Sequence, residues 1–157
     1  MSEIRDAIQA KCLAFSDRII KLNDYLLEQA SRKYDVKYRK EDVKNGSKQH
    51  QPSSIFPLSS RVPVYLQSVA TLANQLLRSG TSIGANNAEA TNAISKADFK
   101  SKSFIALKEA RESLYWIDLL HRNNYLDDKQ YLSIYNDAEE LVKIFVTRCK
   151  KLNEVEE

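Results

Sequence analysis

The chain has 157 residues, enough for one domain with a real core and too few for two comfortable ones. Apolar residues at 43% and charged residues at 29% argue against wholesale disorder, and only three glycines and three prolines argue against a turn-rich β architecture. The net charge of +3 says little by itself; residues 31–50, with seven Lys or Arg against three acids, carry a local balance of +4, so the basic character is concentrated in one segment.

The first predicted helix is written by Ile4, Ile8, Cys12, Phe15, Ile19, Leu22, Leu26 and Ala30, which follow one another at steps of three or four. Leu13, Ile20 and Leu27 widen the same stripe. No run approaches the roughly 18 apolar residues of a membrane span, and "MSEIRDAIQAKC" lacks the apolar centre of a signal peptide, so a cytoplasmic location is expected. Cys12 and Cys149 form no CxxC pattern and read as two reduced thiols.

The stripe dissolves after about Tyr34, and Pro52, Pro57 and Pro63 fall close together among serines. Residues 35–60 therefore read as a basic, proline-containing loop within a single domain, with Arg39 and Lys40 as candidate nucleic-acid contacts. A second helix is expected to start near Ser60 to Pro63, where a serine cap and a first-turn proline are favourable, with the stripe Val62, Leu66, Val69, Ala73, Leu76, Gly80 and Ile83. The apolar steps run straight through Gly80 and Gly84. With Ala88 these lie at i, i+4 spacing on one face, where another backbone can approach closely. A phosphate-cradling break is the weaker reading, because the spacing is not GxxxxGK[ST].

Ser95 and Asp98 form a candidate capping box for a third helix over about 96–122, with Phe99, Ala106, Ala110, Leu114, Ile117 and Leu120 inward. Asp127 and Gln130 offer the same device to a fourth helix, which carries Tyr131, Ile134, Ala138, Leu141, Phe145, Cys149 and Leu152. Four long helices, each with one apolar face, specify an all-α, up-and-down four-helix bundle.

Chemistry is sparse. His50 and His121 belong to no His-x-x-x-His or Glu-x-x-His pattern, no serine sits in a nucleophile elbow, and Glu109/Glu112 and Glu139/Glu140 read as surface acids. No catalytic residue, metal or cofactor is expected. The third helix is more informative on its outer side, where Lys100, Phe104, Lys108, Arg111, Tyr115, Asp118 and Arg122 share one stripe. Cations interleaved with aromatics suit phosphate contact and base stacking. The competing reading buries Phe104 and Tyr115 between subunits. Trp116, on a neighbouring stripe, reads as a packing or interface anchor. This helix has more apolar surface than one bundle core can cover, so a homo-oligomer is expected.

"QLLRSGTSIGANNAEA" (75–90), "SKADFKSKSFIALKEARESLYWIDLL" (95–120) and "NNYL" (123–126) resemble the bacterial four-helix bundle proteins first noticed in intervening sequences of 23S ribosomal RNA genes. More distantly they resemble the accessory variability proteins of diversity-generating retroelements. Arg78, Gly80, Gly84, Asn86, Glu89, Lys108, Glu109, Arg111, Glu112 and Tyr115 match motif positions, whereas Asn87 stands where the family often has an apolar residue. The resemblance implies a ring-shaped homopentamer. Its retroelement branch implies a basic surface that engages nucleic acid and a reverse transcriptase. The combined expectation is a non-enzymatic, oligomeric adapter for structured RNA with Lys100, Lys108, Arg111 and Arg122 as contacts. The alternative is a protein interaction scaffold that binds no nucleic acid.

Overall fold

The structure is a computed structural model that describes residues 2–44 and 64–154. Its elements are four helices, α1 (Ser2–Lys44), α2 (Val64–Thr91), α3 (Lys96–Arg122) and α4 (Asp128–Glu154), with no strand among the described residues. Each packs on its two neighbours in the order α1, α2, α3, α4 and back to α1, which is the up-and-down bundle the stripes predict. The α1–α4 seam is the loosest of the four.

One boundary differs from expectation. Helix α1 carries on past Tyr34 to Lys44, giving 43 residues against 28, 27 and 27 in the others. Arg39 and Lys40 therefore stand on a helix and not in a loop. The segment 31–44 has no proline or glycine, and its Lys, Arg and Glu residues are good helix formers even without an apolar stripe. The side chains of Arg39 and Lys40 lie outside the described residues, as do residues 45–63 with His50 and all three prolines.

The short connections have local causes. The Ser95 hydroxyl accepts from the Asp98 amide at 3.1 Å, the forward half of the predicted box, and the Asp98 carboxylate reaches one residue further back, accepting from the Ile94 amide at 3.2 Å. Asp127 and Gln130 form the reciprocal pair, at 2.7 and 3.1 Å. Between them α3 stops at Asn124, the one non-glycine described residue with positive φ, 59°. Its amide bonds the His121 carbonyl and the Tyr125 amide bonds that of Leu120, both at 2.9 Å, a Schellman closure with asparagine in the left-handed position.

Helix α2 does continue through its glycines, and α1 is what approaches them. A Cβ built on Gly80 would stand 3.0 Å from Ile19 Cγ1, and one on Gly84 would stand 3.4 Å from Cys12 Cβ. On its other side α2 meets α3 through small groups: the buried Ser113 hydroxyl donates to Ser79 Oγ at 3.0 Å. Cys12, Phe15, Ile19, Leu76, Ile83, Ile117, Leu141 and Phe145 form the centre of the core.

Cys12 and Cys149 are both buried and free. Burial pushes the Cys12 thiol up to about 11 from an ordinary 9.0, against a smaller opposing pull from Arg148, and burial raises Cys149 as well. A raised folded-state value contributes stability that is complete below the unfolded value and lost as pH climbs through the folded one. The urea midpoint should hold up to about pH 9 and fall towards pH 11, less steeply in Cys12→Ala. Native protein should leave both thiols unreactive to an aromatic disulfide reagent at neutral pH, and urea should release them together.

Candidate nucleic-acid interface

The outer stripe of α3 emerges opposite the helix's buried face. Ser103, Ala106, Leu107, Ala110, Ser113, Ile117 and Leu120 point inward. On the outer side Lys108, Arg111 and Arg122 are exposed, Tyr115 is 57% exposed, and Phe104 is 38% exposed. Lys100 is half-buried and engaged, so it is a less available cation than the sequence suggests. Lys100, Phe104 and Lys108 border one shallow depression of about 490 Å³ with Ala97, Ser101 and Ile105. The structure therefore brings Lys100, Lys108, Arg111, Arg122, Phe104 and Tyr115 onto one helix face and leaves both aromatics open to a partner.

Other candidates are accounted for inside the bundle. Trp116 is half-buried against the core, donates its Nε1–H to Glu112 at 3.1 Å and meets Tyr115 edge-on at 4.8 Å. That makes it a packing anchor that braces Tyr115. Gly80 and Gly84 are covered by α1, so their smooth face serves packing within the protomer, while Ala88 is half-buried. Asp118 accepts from the Tyr131 hydroxyl at 2.8 Å, a bond that holds that phenol up at about 12. His121 stacks on Tyr131 at 4.1 Å and lies 2.9 Å from Asp128.

Charge around the stripe is mixed. Lys102 is ion-paired with Glu89, and that hydrogen bond raises its pKa. Burial, and then the neighbouring Glu112, raises that of Glu109, with Lys108 and Arg78 pulling the other way. The exposed cations on this face thus sit beside acids that share part of their field. No group of three or more His, Cys, Asp or Glu among the described residues is arranged to hold a metal. No helix among them is long and apolar enough to cross a membrane.

Sequence reasoning missed a second polar assembly. Arg148 Nη1 donates to Asn87 Oδ1 at 2.8 Å, Asn87 Nδ2 donates to Gln9 Oε1 at 2.6 Å, and Gln9 Nε2 donates to the Gly84 carbonyl at 3.4 Å. The chain of bonds ties α4 to α2 to α1, and Asn87 at its centre is fully buried. The signal was present in the spacing. Asn87 lies four residues after Ile83 on the apolar stripe, and Arg148 lies seven after Leu141 on another. Sequence reasoning also missed the clasp on the α1–α4 seam, where Arg18 bonds the Asp137 carboxylate and donates to Ser133 Oγ at 2.8 Å.

A family model described as 23S rRNA-intervening sequence protein matches residues 53–147. Among solved structures the chain is similar to a protein of unknown function from the S23 ribosomal protein family of Bacteroides thetaiotaomicron. The two are 34% identical, with a TM-score of 0.67, over 93% of this chain and 97% of that one. No curated protein matches.

Proposed function

Because this chain belongs to the 23S rRNA-intervening sequence protein family, we propose that it is a non-enzymatic RNA-binding adapter that holds structured RNA on the outer face of α3. The observation that carries the reading is the exposed stripe in which Lys108, Arg111 and Arg122 alternate with Phe104 and Tyr115. Cations on one helix face supply a phosphate term independent of sequence, and open aromatic faces add stacking at unpaired bases. The family's name, after an intervening sequence of 23S rRNA, supports RNA as the partner. An enzyme that handles structured RNA, a reverse transcriptase among them, would meet the protein on that RNA, and such a role belongs in the cytoplasm.

Self-association is part of the proposal. Leu13, Ile20 and Leu27 are exposed at seven-residue steps on α1, and Phe104 and Tyr115 are exposed on α3. Surfaces of that kind on different helices suit head-to-tail contacts that close into a ring, the pentamer being the form implied by the resemblance. Copies of the α3 stripe around a ring would multiply a modest protomer affinity.

The test is affinity for a structured RNA across a range of salt, with the assembled mass followed in the same buffers. The expected result is a steep loss of affinity with salt at constant mass. Reversing Lys108 and Arg111 to glutamate should weaken binding by at least about tenfold and flatten the salt slope by about two contacts. An unchanged affinity and slope would remove α3 as the site. The exposed apolar residues support a second reading, a protein scaffold without RNA, which predicts salt-insensitive partner binding and no RNA bound at low salt.

A further inference from the structure

The loosest seam of the bundle, between α1 and α4, opens at one end into a cleft of about 640 Å³. Its floor is apolar: Ile4 and Ile8 from α1, Phe99 from the first turn of α3, and Ile144 from α4. Its rim is cationic. Arg5, Arg148 and Lys151 all line it, and none of the three has a carboxylate partner among the described residues. The remaining charges are matched within the bundle, Lys143 to Glu139 and Glu140 to Lys11, at 2.8 and 2.9 Å.

Arg148 is the anomaly. It is half-buried, its guanidinium carbon lies 5.0 Å from the Phe145 ring centre and 5.7 Å from that of Phe99, and its one described hydrogen-bond partner is the neutral Asn87. Burial lowers its pKa, with Cys12 and Cys149 pulling the other way and Arg5 adding a smaller repulsion. A half-buried cation lying over two rings, with a second cation beside it and an apolar cleft in front, has one neutral acceptor and no carboxylate in its described surroundings, so an anion close by adds attraction that nothing else there supplies. Such a cleft also falls in the size range of small-molecule sites, which are largely apolar with a few polar groups that fix orientation.

We infer that this cleft binds an amphipathic carboxylate of the fatty-acid type, its acid group on Arg148 with Arg5 and Lys151 at the mouth, and its alkyl chain on Ile4, Ile8, Phe99 and Ile144. The charge pattern selects this occupant. A neutral apolar molecule would leave the arginines unmatched, and a bare anion would leave the isoleucines in water. Ile4, 68% exposed on a helix face that turns towards α4, is the residue with most to gain.

The probe is dodecanoate below its micelle concentration, titrated calorimetrically into the full-length protein, with dodecyltrimethylammonium as the charge-reversed control. The expected result is saturable binding of dodecanoate at one per protomer and none of the cation. Arg148→Gln, which removes the charge and keeps a polar side chain, should weaken binding by at least about tenfold. Ile4→Asn, at a site too exposed to matter for folding, should weaken it several-fold. The Lys108→Glu, Arg111→Glu protein should bind dodecanoate as the parent does. Equal uptake of both detergents, absence of saturable binding, or two variants that bind like the parent would each overturn the assignment. So would a protein mass that falls on dilution in the parent and is already low in Ile4→Asn, since the cleft would then be the seat of a second copy of this chain.

Discussion

Replacing Asn87 with leucine is expected to destabilise the protein by about 2–4 kcal/mol, although leucine is close in size and the position lies on the apolar stripe of α2. The cost comes from what is left behind. Arg148 Nη1 loses its acceptor at 2.8 Å and Gln9 Oε1 loses its donor at 2.6 Å, and both sit beside a residue with no solvent exposure. A buried group stripped of its partner loses the full desolvation term, and a charged one loses more. Arg148→Met alone should cost less, about 1–3 kcal/mol, because it leaves only the Asn87 amide oxygen unmatched and removes a desolvated charge. The double variant should then be more stable than the sum of the singles by at least about 1 kcal/mol, since the two unmatched ends disappear together. Urea midpoints at neutral pH measure the cycle. Additive singles would mean that Arg148 swings into the α1–α4 cleft and is hydrated there, and the network would lose its structural role.

The Asn87 network also marks where sequence reasoning stops. Periodicity locates α2, α3 and α4 closely because each carries an apolar stripe over its whole length, and the two capping boxes fix the start of α3 and α4 from side-chain chemistry alone. The end of α1 is hidden from that method. Beyond Tyr34 no stripe remains, and only the helix-forming tendency of a charged run extends it to Lys44.

The candidate site divides in the same way. The α3 stripe is legible because every member projects from one helix, so spacing alone puts Lys108, Arg111, Tyr115 and Arg122 together. What spacing does not convey is how far each side chain is exposed, and Lys100 is half-buried although it shares the stripe with the exposed Lys108 and Arg111. The cleft is illegible in principle from one helix at a time. Ile4, Phe99 and Arg148 come from three helices, and each reads separately as core, cap or surface. The polar residue at an apolar stripe position is the one trace it leaves, and that trace says that a partner exists without saying which.

The glycine pair gives the second large effect, with the two positions expected to answer alanine with opposite sign. At Gly84 an added Cβ meets Cys12 Cβ at 3.4 Å and Ser16 Oγ at 3.7 Å, ordinary contact distances. Gly84→Ala should therefore gain helix propensity without strain and stabilise by up to about 1 kcal/mol. At Gly80 the added carbon meets Ile19 Cγ1 at 3.0 Å and Cγ2 at 3.3 Å. Ile19 is fully buried and β-branched, with one favoured rotamer in a helix, so it cannot swing aside. Gly80→Ala should lose about 1–2 kcal/mol net even after the propensity gain. Gly84→Leu goes further, because atoms beyond Cβ have to enter space held by the α1 backbone, with the Cys12 carbonyl carbon 3.8 Å from the Cβ itself. It should cost about 3 kcal/mol or more, at the upper end for overpacking. Forcing α1 from α2 there also stretches the bond from Gln9 to the Gly84 carbonyl, already 3.4 Å, and with it the first link of the chain that ends on Arg148. Thermal midpoints of the three variants read the order directly. If Gly80→Ala proved as stable as Gly84→Ala, Ile19 would have room that the packing denies it, and close approach would no longer explain why a helix of 28 residues keeps glycine at 80.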